Sequence, residues 1–278
     1  MDFRRLLLVT AITTAITALI GVITATAGAG LTCEARWPLC DGAVFGLFPA
    51  NFMSFIEWFH RLVAMITGFL IIGSTIAAWR GGAGRRIRFA TLGALLLTPL
   101  QVVFGAFTVL VHQFVFGYSV LVLTLHFGIA ALILGLLVAA TVWAYADVSS
   151  VSPTALQQAG AFVLLSFPIA AALTPRLFFS FGEIVQFIYY GLGFAMFAAL
   201  VVVALWGREI GFQTVSVLGG LASVLVIAQL IVARQAFGDS GQLLVLGLSV
   251  AVFVLTLIAV LRVRTHESGS KRSPLASD

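Results

Sequence analysis

Ser54-Phe55-Ile56-Glu57-Trp58-Phe59-His60-Arg61-Leu62-Val63-Ala64-Met65-Ile66-Thr67-Gly68 sets a carboxylate, an imidazole and a guanidinium within five residues at the mouth of a long apolar run. As a helix, Glu57 and His60 are three apart and share a face, which Ala64, Thr67 and Gly68 continue inward. A candidate metal ligand and a candidate acid or base therefore point the same way. The surrounding chain avoids charge: 61% of its 278 residues are hydrophobic and 9% charged, with a mean hydropathy of +1.14. That leaves too little polar surface to cover a soluble globule of this length. The composition predicts an integral membrane protein.

Outward from this stretch, apolar segments long enough to span a bilayer, about 20 residues each, run over 5–27, 55–79, 89–112, 118–145, 156–174, 183–206, 213–233 and 242–261. The predicted fold is all-α with eight transmembrane helices. Arg4 and Arg5 resemble a signal-peptide prelude, but the run behind them is long and lacks a convincing cleavage site, so the first segment is read as a retained helix. The net charge of +5 does not point to nucleic acid, because no basic helix or aromatic-basic interleaving is present. Instead the charge reports topology. With a cytoplasmic N-terminus, Arg4, Arg5, Arg80, Arg85, Arg86, Arg88, Arg208, Arg262, Arg264, Lys271 and Arg272 lie inside, and only Arg36, Arg61, Arg176 and Arg234 lie outside. The expected location is the cell membrane, multi-pass, with both termini cytoplasmic.

The first outer loop, residues 28–53, holds both cysteines, Cys33 and Cys40. Two thiols on the oxidising side of a membrane, separated by a turn containing Pro38, are expected to form a disulfide brace, with a redox-active pair as the alternative. A metal site is disfavoured, since neither has a nearby His or a second Cys at two-residue spacing. Covalent haem attachment would need Cys-x-x-Cys-His, which is absent.

Of the four histidines, His266 falls in a polar tail and His112 at the outer end of the third segment, where a solvated interfacial histidine is the plain reading. His60 and His126 differ. They lie about six and eight residues from the outer ends of helices two and four, roughly 9 and 12 Å deep. Two imidazoles at one level of a bundle can ligate one iron from opposite sides of a flat ring. Each alone could equally bond a neighbouring helix. Arg61 needs an anionic partner, such as a haem propionate, Glu57 or Glu34, or else snorkels to the headgroups with Trp58 as an interfacial belt residue.

At this point the chain resembles the haem A synthase family. The resemblance is carried by Glu57-Trp58-Phe59-His60-Arg61, by the loop from Cys33 to Cys40 with its run Trp37-Pro38-Leu39-Cys40-Asp41-Gly42, by Gln101-Val102-Val103-Phe104-Gly105-Ala106-Phe107-Thr108-Val109, and by His126. It covers roughly residues 1–146. It implies two related four-helix bundles: residues 1–146 with the haem site, a cytoplasmic linker at 147–155, a degenerate second bundle at 156–262 and a cytoplasmic tail at 263–278. A slide of 128 places Gln101 on Gln229, and one of 127 places Trp79 on Trp206.

The resemblance further implies oxidation of the C8 methyl of haem O, through hydroxylated intermediates, to the formyl of haem A for terminal oxidases. His60 and His126 would hold the iron, Arg61 a propionate, and Glu57 would manage protons as the catalytic residue. Glu57 could instead be structural, paired with Arg61 or favoured by the helix dipole. Gly68, Gly105 and Ala106 would leave room for a flat ring or close packing. The implied partners are a membrane farnesyltransferase that supplies haem O, an electron-transfer protein, and a second copy of the chain.

The chain departs from the family in its second half. No histidine occurs between residues 127 and 265, and the slide of 128 sets Ile188 opposite His60 and Val254 opposite His126. The second haem b that the family carries is therefore in doubt, since Gln186, Tyr189, Tyr190 and Gln229 are not usual low-spin ligands. Two other classes stay open: a haem-carrying assembly protein, which tolerates loss of the second pair, and a b-type membrane cytochrome. A transporter is disfavoured for want of paired broken helices.

Overall fold

A computed structural model describes residues 2–33, 36, 39–40, 43–44, 48–114, 120–146, 151–175, 177–234 and 238–272. Glu34, Trp37, Pro38, Asp41, Gly42, Arg176 and residues 147–150 of the expected linker lie outside them, as do the side chains of His112 and His266. The elements are α1 (Phe3–Thr26), a 3-10 turn (Ala29–Leu31), β1 (Ala43–Val44), β2 (Phe48–Pro49), α2 (Phe52–Arg80), α3 (Arg85–Phe114), α4 (Val120–Ala146), α5 (Pro153–Ala172), α6 (Glu183–Glu209), α7 (Gln213–Arg234) and α8 (Gly238–Arg272). All eight α-helices are long and apolar enough to cross a membrane. A helix satisfies its backbone polar groups internally, which a lipid surrounding demands. The fold is therefore the expected all-α membrane architecture, with one two-residue antiparallel pair, Ala43 opposite Pro49, in the first loop.

Helix ends depart from the hydropathy boundaries where capping chemistry takes over. Asn51 Oδ1 accepts from the Met53 and Ser54 amides at 2.9 and 3.4 Å, starting α2 three residues before the apolar run. Ser152 does the same for Ala155 at 3.1 Å, with Pro153 in the first turn. Helix α5 thereby takes up the last residues of the expected linker. At the other end, α8 runs on to Arg272, ten residues beyond the 262 boundary. The turns between α2 and α3 and between α6 and α7 each rest on a glycine in the left-handed region, Gly82 at φ 66° and Gly211 at φ 81°. The two halves of the chain thus share a turn as well as a hydropathy pattern.

Packing divides the chain into two compact units, residues 1–144 with 181–191, and residues 145–180 with 192–278. The N-terminal end of α6 therefore packs with the first four helices. In the first unit, Leu7, Ala78, Ile87, Ala90, Ala140 and Ala144 make the layer nearest the α2–α3 turn. Ala11, Ile71, Ala94, Ile133 and Leu137 make the next. All four helices contribute to both.

Hydroxyls hold α1 to α2 along one seam: Thr10 Oγ1 lies 2.9 Å from Ser74 Oγ, and Thr17 Oγ1 lies 2.8 Å from Thr67 Oγ1. The partners recur every seven residues in each helix, the repeat that keeps one face toward a neighbour. Thr17 and Thr67 also lie within bonding range of their own helix carbonyls, Thr13 and Val63. Two protons serve three contacts there, so a bond across the seam is made at the expense of one bond to a helix carbonyl. In the second unit, glycines instead make room for a neighbouring helix. A Cβ on Gly160 would stand 2.4 Å from Val260 Cγ2, and one on Gly219 would stand 2.9 Å from the Ala204 amide.

Candidate haem site

One seven-residue step from Thr67 toward the N-terminus of α2, along the same face, is His60. Counted along the observed helices, His60 follows Phe52 by eight residues and His126 follows Val120 by six, or about 12 and 9 Å of rise. The two imidazoles lie within electrostatic range of each other, and the backbone of Thr17 bonds the His60 ring. His60 Nδ1 is buried without a hydrogen-bond partner. An orphaned imidazole nitrogen inside a bundle loses bonding that water would supply, and such an atom is available to a metal. Gln101 Nε2 stands 3.4 Å from His126 Nε2, so a metal bound at that nitrogen would displace the amide.

Small residues face both rings. A Cβ on Gly21 of α1 would stand 2.9 Å from His60 Cε1, and one on Gly105 of α3 would stand 3.2 Å from His126 Cε1. Among the described residues no group of three or more His, Cys, Asp and Glu side chains could hold a bare metal ion. A pair of imidazoles suits an iron that brings four in-plane nitrogens of its own. The residues present therefore fit a haem.

Above the histidines, Glu57 is 2% exposed and its carboxylate is fully engaged. Oε1 accepts from Arg61 one turn on. Oε2 accepts from the Cys33 amide at 2.7 Å and faces the Thr32 hydroxyl at 3.0 Å. A buried charge needs such pairing to offset its desolvation. Of the partners considered for Arg61, Glu57 is found bonded to it among the described residues. The Thr32 hydroxyl also lies 3.0 Å from the Ala29 carbonyl and has one proton for two acceptors. An ionised Glu57 takes that proton, whereas a protonated Glu57 can donate to Thr32 and leave Thr32 to bond Ala29. The clamp accommodates both states of the carboxyl without moving a heavy atom.

Cys33 and Cys40 are bonded, with Cα atoms 4.7 Å apart. The disulfide is buried with Trp58 against Phe55 and Leu62. Trp58 is 8% exposed and its ring centroid lies 5.0 Å from that of Phe48. This corrects the reading of Trp58 as an interfacial belt residue: the loop folds back over it. The loop is thus held to α2 by the disulfide packing and by the Cys33 amide on Glu57. Replacing both cysteines by Ser lowers stability by about 2 kcal/mol, the chain-entropy value for so short a loop. Unfolding of the purified protein in detergent checks this; an unchanged midpoint removes the bracing role.

Sequence reasoning found Glu57, His60, Arg61, His126 and the cysteine pair, and these fall in one unit. Thr32, Gln101 and Gly21 escaped it. Gln101 carried a signal, being an amide in the middle of an apolar helix; Thr32 and Gly21 carried none. At the positions that the slide of 128 sets opposite His60 and His126, Ile188 and Val254 are 44% and 43% exposed.

The profile described as cytochrome oxidase assembly protein matches residues 4–177. A heme A synthase of Shouchella clausii is 34% identical over 145 residues, 52% of this chain and 46% of that protein. Another, of Alkalihalophilus pseudofirmus, is 36% identical over 140 residues, 50% and 45% of the two chains. A protoheme IX farnesyltransferase of Halobacterium salinarum is 42% identical over 89 residues, 32% of this chain and 20% of that one. The chain thus spans less than half the length of the curated relatives it matches. With the profile covering well over half of its residues, however, the chain belongs to the cytochrome oxidase assembly protein family.

Proposed function

We propose that this protein oxidises the C8 methyl of haem O to the formyl of haem A, as a membrane oxidoreductase serving terminal oxidase assembly. The observation that carries the reading is that His60, its Nδ1 buried without a hydrogen bond, lies one turn from the Glu57 clamp and in the same packing unit as His126. The similarity to proteins named heme A synthase supports it. Haem O is the substrate, and it brings the iron that two imidazoles would hold and the methyl to be oxidised. His60 and His126 fix the ring by its metal. Arg61 is placed to trade its bond to Glu57 for a propionate, and Glu57 is then released to take up a proton beside the substrate.

Turning a methyl into a formyl with water as oxygen source releases four electrons and four protons, so an electron acceptor in the membrane is a required partner. The haem O itself comes from a farnesyltransferase. A segment 42% identical to this chain within a protein named protoheme IX farnesyltransferase supports that supply.

A second reading has its own observation. Glu57 is so completely bonded by Arg61, Thr32 and Cys33 that it also fits a structural clamp in a protein that carries haem without altering it. Expression in a host making haem O, followed by extraction and chromatographic separation of the haems, decides between them. Haem A or its hydroxylated precursor is the expected product. Unchanged haem O establishes the carrier, and haem B alone a cytochrome.

A further inference from the structure

We infer that α1 and α3, which supply no candidate iron ligand, set the orientations of the two imidazoles through Gly21 and Gly105. The inference rests on the reading of His60 and His126 as haem ligands. A Cβ on Gly21 would stand 2.9, 3.4 and 3.6 Å from Cε1, Nε2 and Nδ1 of His60, so the notch lies against the ring rather than its stem. A Cβ on Gly105 would stand 3.2 and 3.8 Å from Cε1 and Nδ1 of His126. The same device thus recurs on two helix pairs: a ligand helix and, beside it, a helix with a glycine against the ring.

What must yield when a methyl is added decides whether this is orientation or mere packing. At Gly21 the backbone is not free to retreat. Thr17, one turn away on α1, is bonded to Thr67 across the seam, and Thr10 to Ser74 two turns further on. The ring turns about two bonds and, although the Thr17 backbone bonds it, its Nδ1 is buried without a hydrogen-bond partner, so it is the softer partner. At Gly105, Ala94 about three turns along α3 is packed with Ile133 and Leu137 of α4, and Gln101 one turn away stands at the His126 ring. There too the ring turns before the helix moves. Gly21 and Gly105 are therefore positioning residues: they select the ring planes that reach the iron.

Electron paramagnetic resonance of the purified, haem-loaded full-length protein tests this, because the low-spin ferric signal of a bis-imidazole haem depends on the relative orientation of the two ring planes. Gly21→Ala and Gly105→Ala are expected to shift that signal or abolish it. Gly73→Ala, whose added Cβ meets nothing within 4 Å, is expected to leave it in place. Gly105→Ala, with the milder contact, decides the matter should Gly21→Ala fail to fold. Two folded, haem-loaded alanine variants with the wild-type signal overturn the inference, as does failure of both to fold while Gly73→Ala folds, which would make the glycines packing residues. Absence of a bis-imidazole signal from the wild-type protein would instead remove the ligand assignment itself, and the inference with it.

Discussion

His60→Ala and His126→Ala each strip the protein of low-spin haem and of product. Loss of an outer partner of a metal ligand already costs about 10- to 100-fold in affinity, and loss of the ligand itself costs more. Each remaining imidazole would then face an iron with one axial position open. Haem per protein, read as a haemochrome, and the low-spin absorption spectrum check this in detergent-purified material. Two variants with wild-type haem content and spectrum would refute the pair as ligands. The prediction separates His60 and His126 from His112 and His266, whose replacement leaves the spectrum unchanged.

Glu57→Gln keeps haem bound and slows oxidation by about 10²- to 10⁴-fold, the range that a positioned acid or base contributes. Gln is the informative substitution. It retains an acceptor for the Cys33 amide, whereas Ala would leave Cys33, Thr32 and Arg61 without their shared partner. Removing one member of a buried ion pair costs about 3 to 5 kcal/mol, enough to confuse a loss of chemistry with a loss of fold. The thermal midpoint and the haem content are therefore measured beside the rate. Unimpaired product formation sinks the catalytic assignment. A parallel loss of haem and product makes Glu57 a strut of the site.

The eight helices were legible because hydropathy over 20 residues is a summed signal that a bilayer enforces. Their ends were less so, since single side chains such as Asn51 and Ser152 decide them. In the candidate site, the residues on α2 were legible from helical spacing alone, as Glu57, His60 and Arg61 lie within one turn or so. Their partners were not. The Cys33 amide reaches Glu57 across 24 positions of sequence, and a backbone donor carries no residue signature. Trp58 was misplaced for the same reason: amphipathic position suggests a lipid interface, and only the folded loop shows that Phe48 and the disulfide cover it. Gly21 was silent because a glycine in an apolar helix has many explanations, and the ring it faces is 39 positions away.

The N-terminal end of α6 brings Tyr189 and Tyr190, 1% and 0% exposed, to the first unit. There Tyr190 meets Phe127, the residue after His126, edge-on at 5.9 Å, and a Cβ on Gly191 would touch Leu19, two residues before Gly21. Chain order and packing therefore assign this segment to different halves. A protein cut at residue 146 would be complete by count of helices, yet Phe127 and Leu19 would lose the neighbours that back the two ring positions. The second half can forfeit its own histidines and still be indispensable, as a buttress lent to the first.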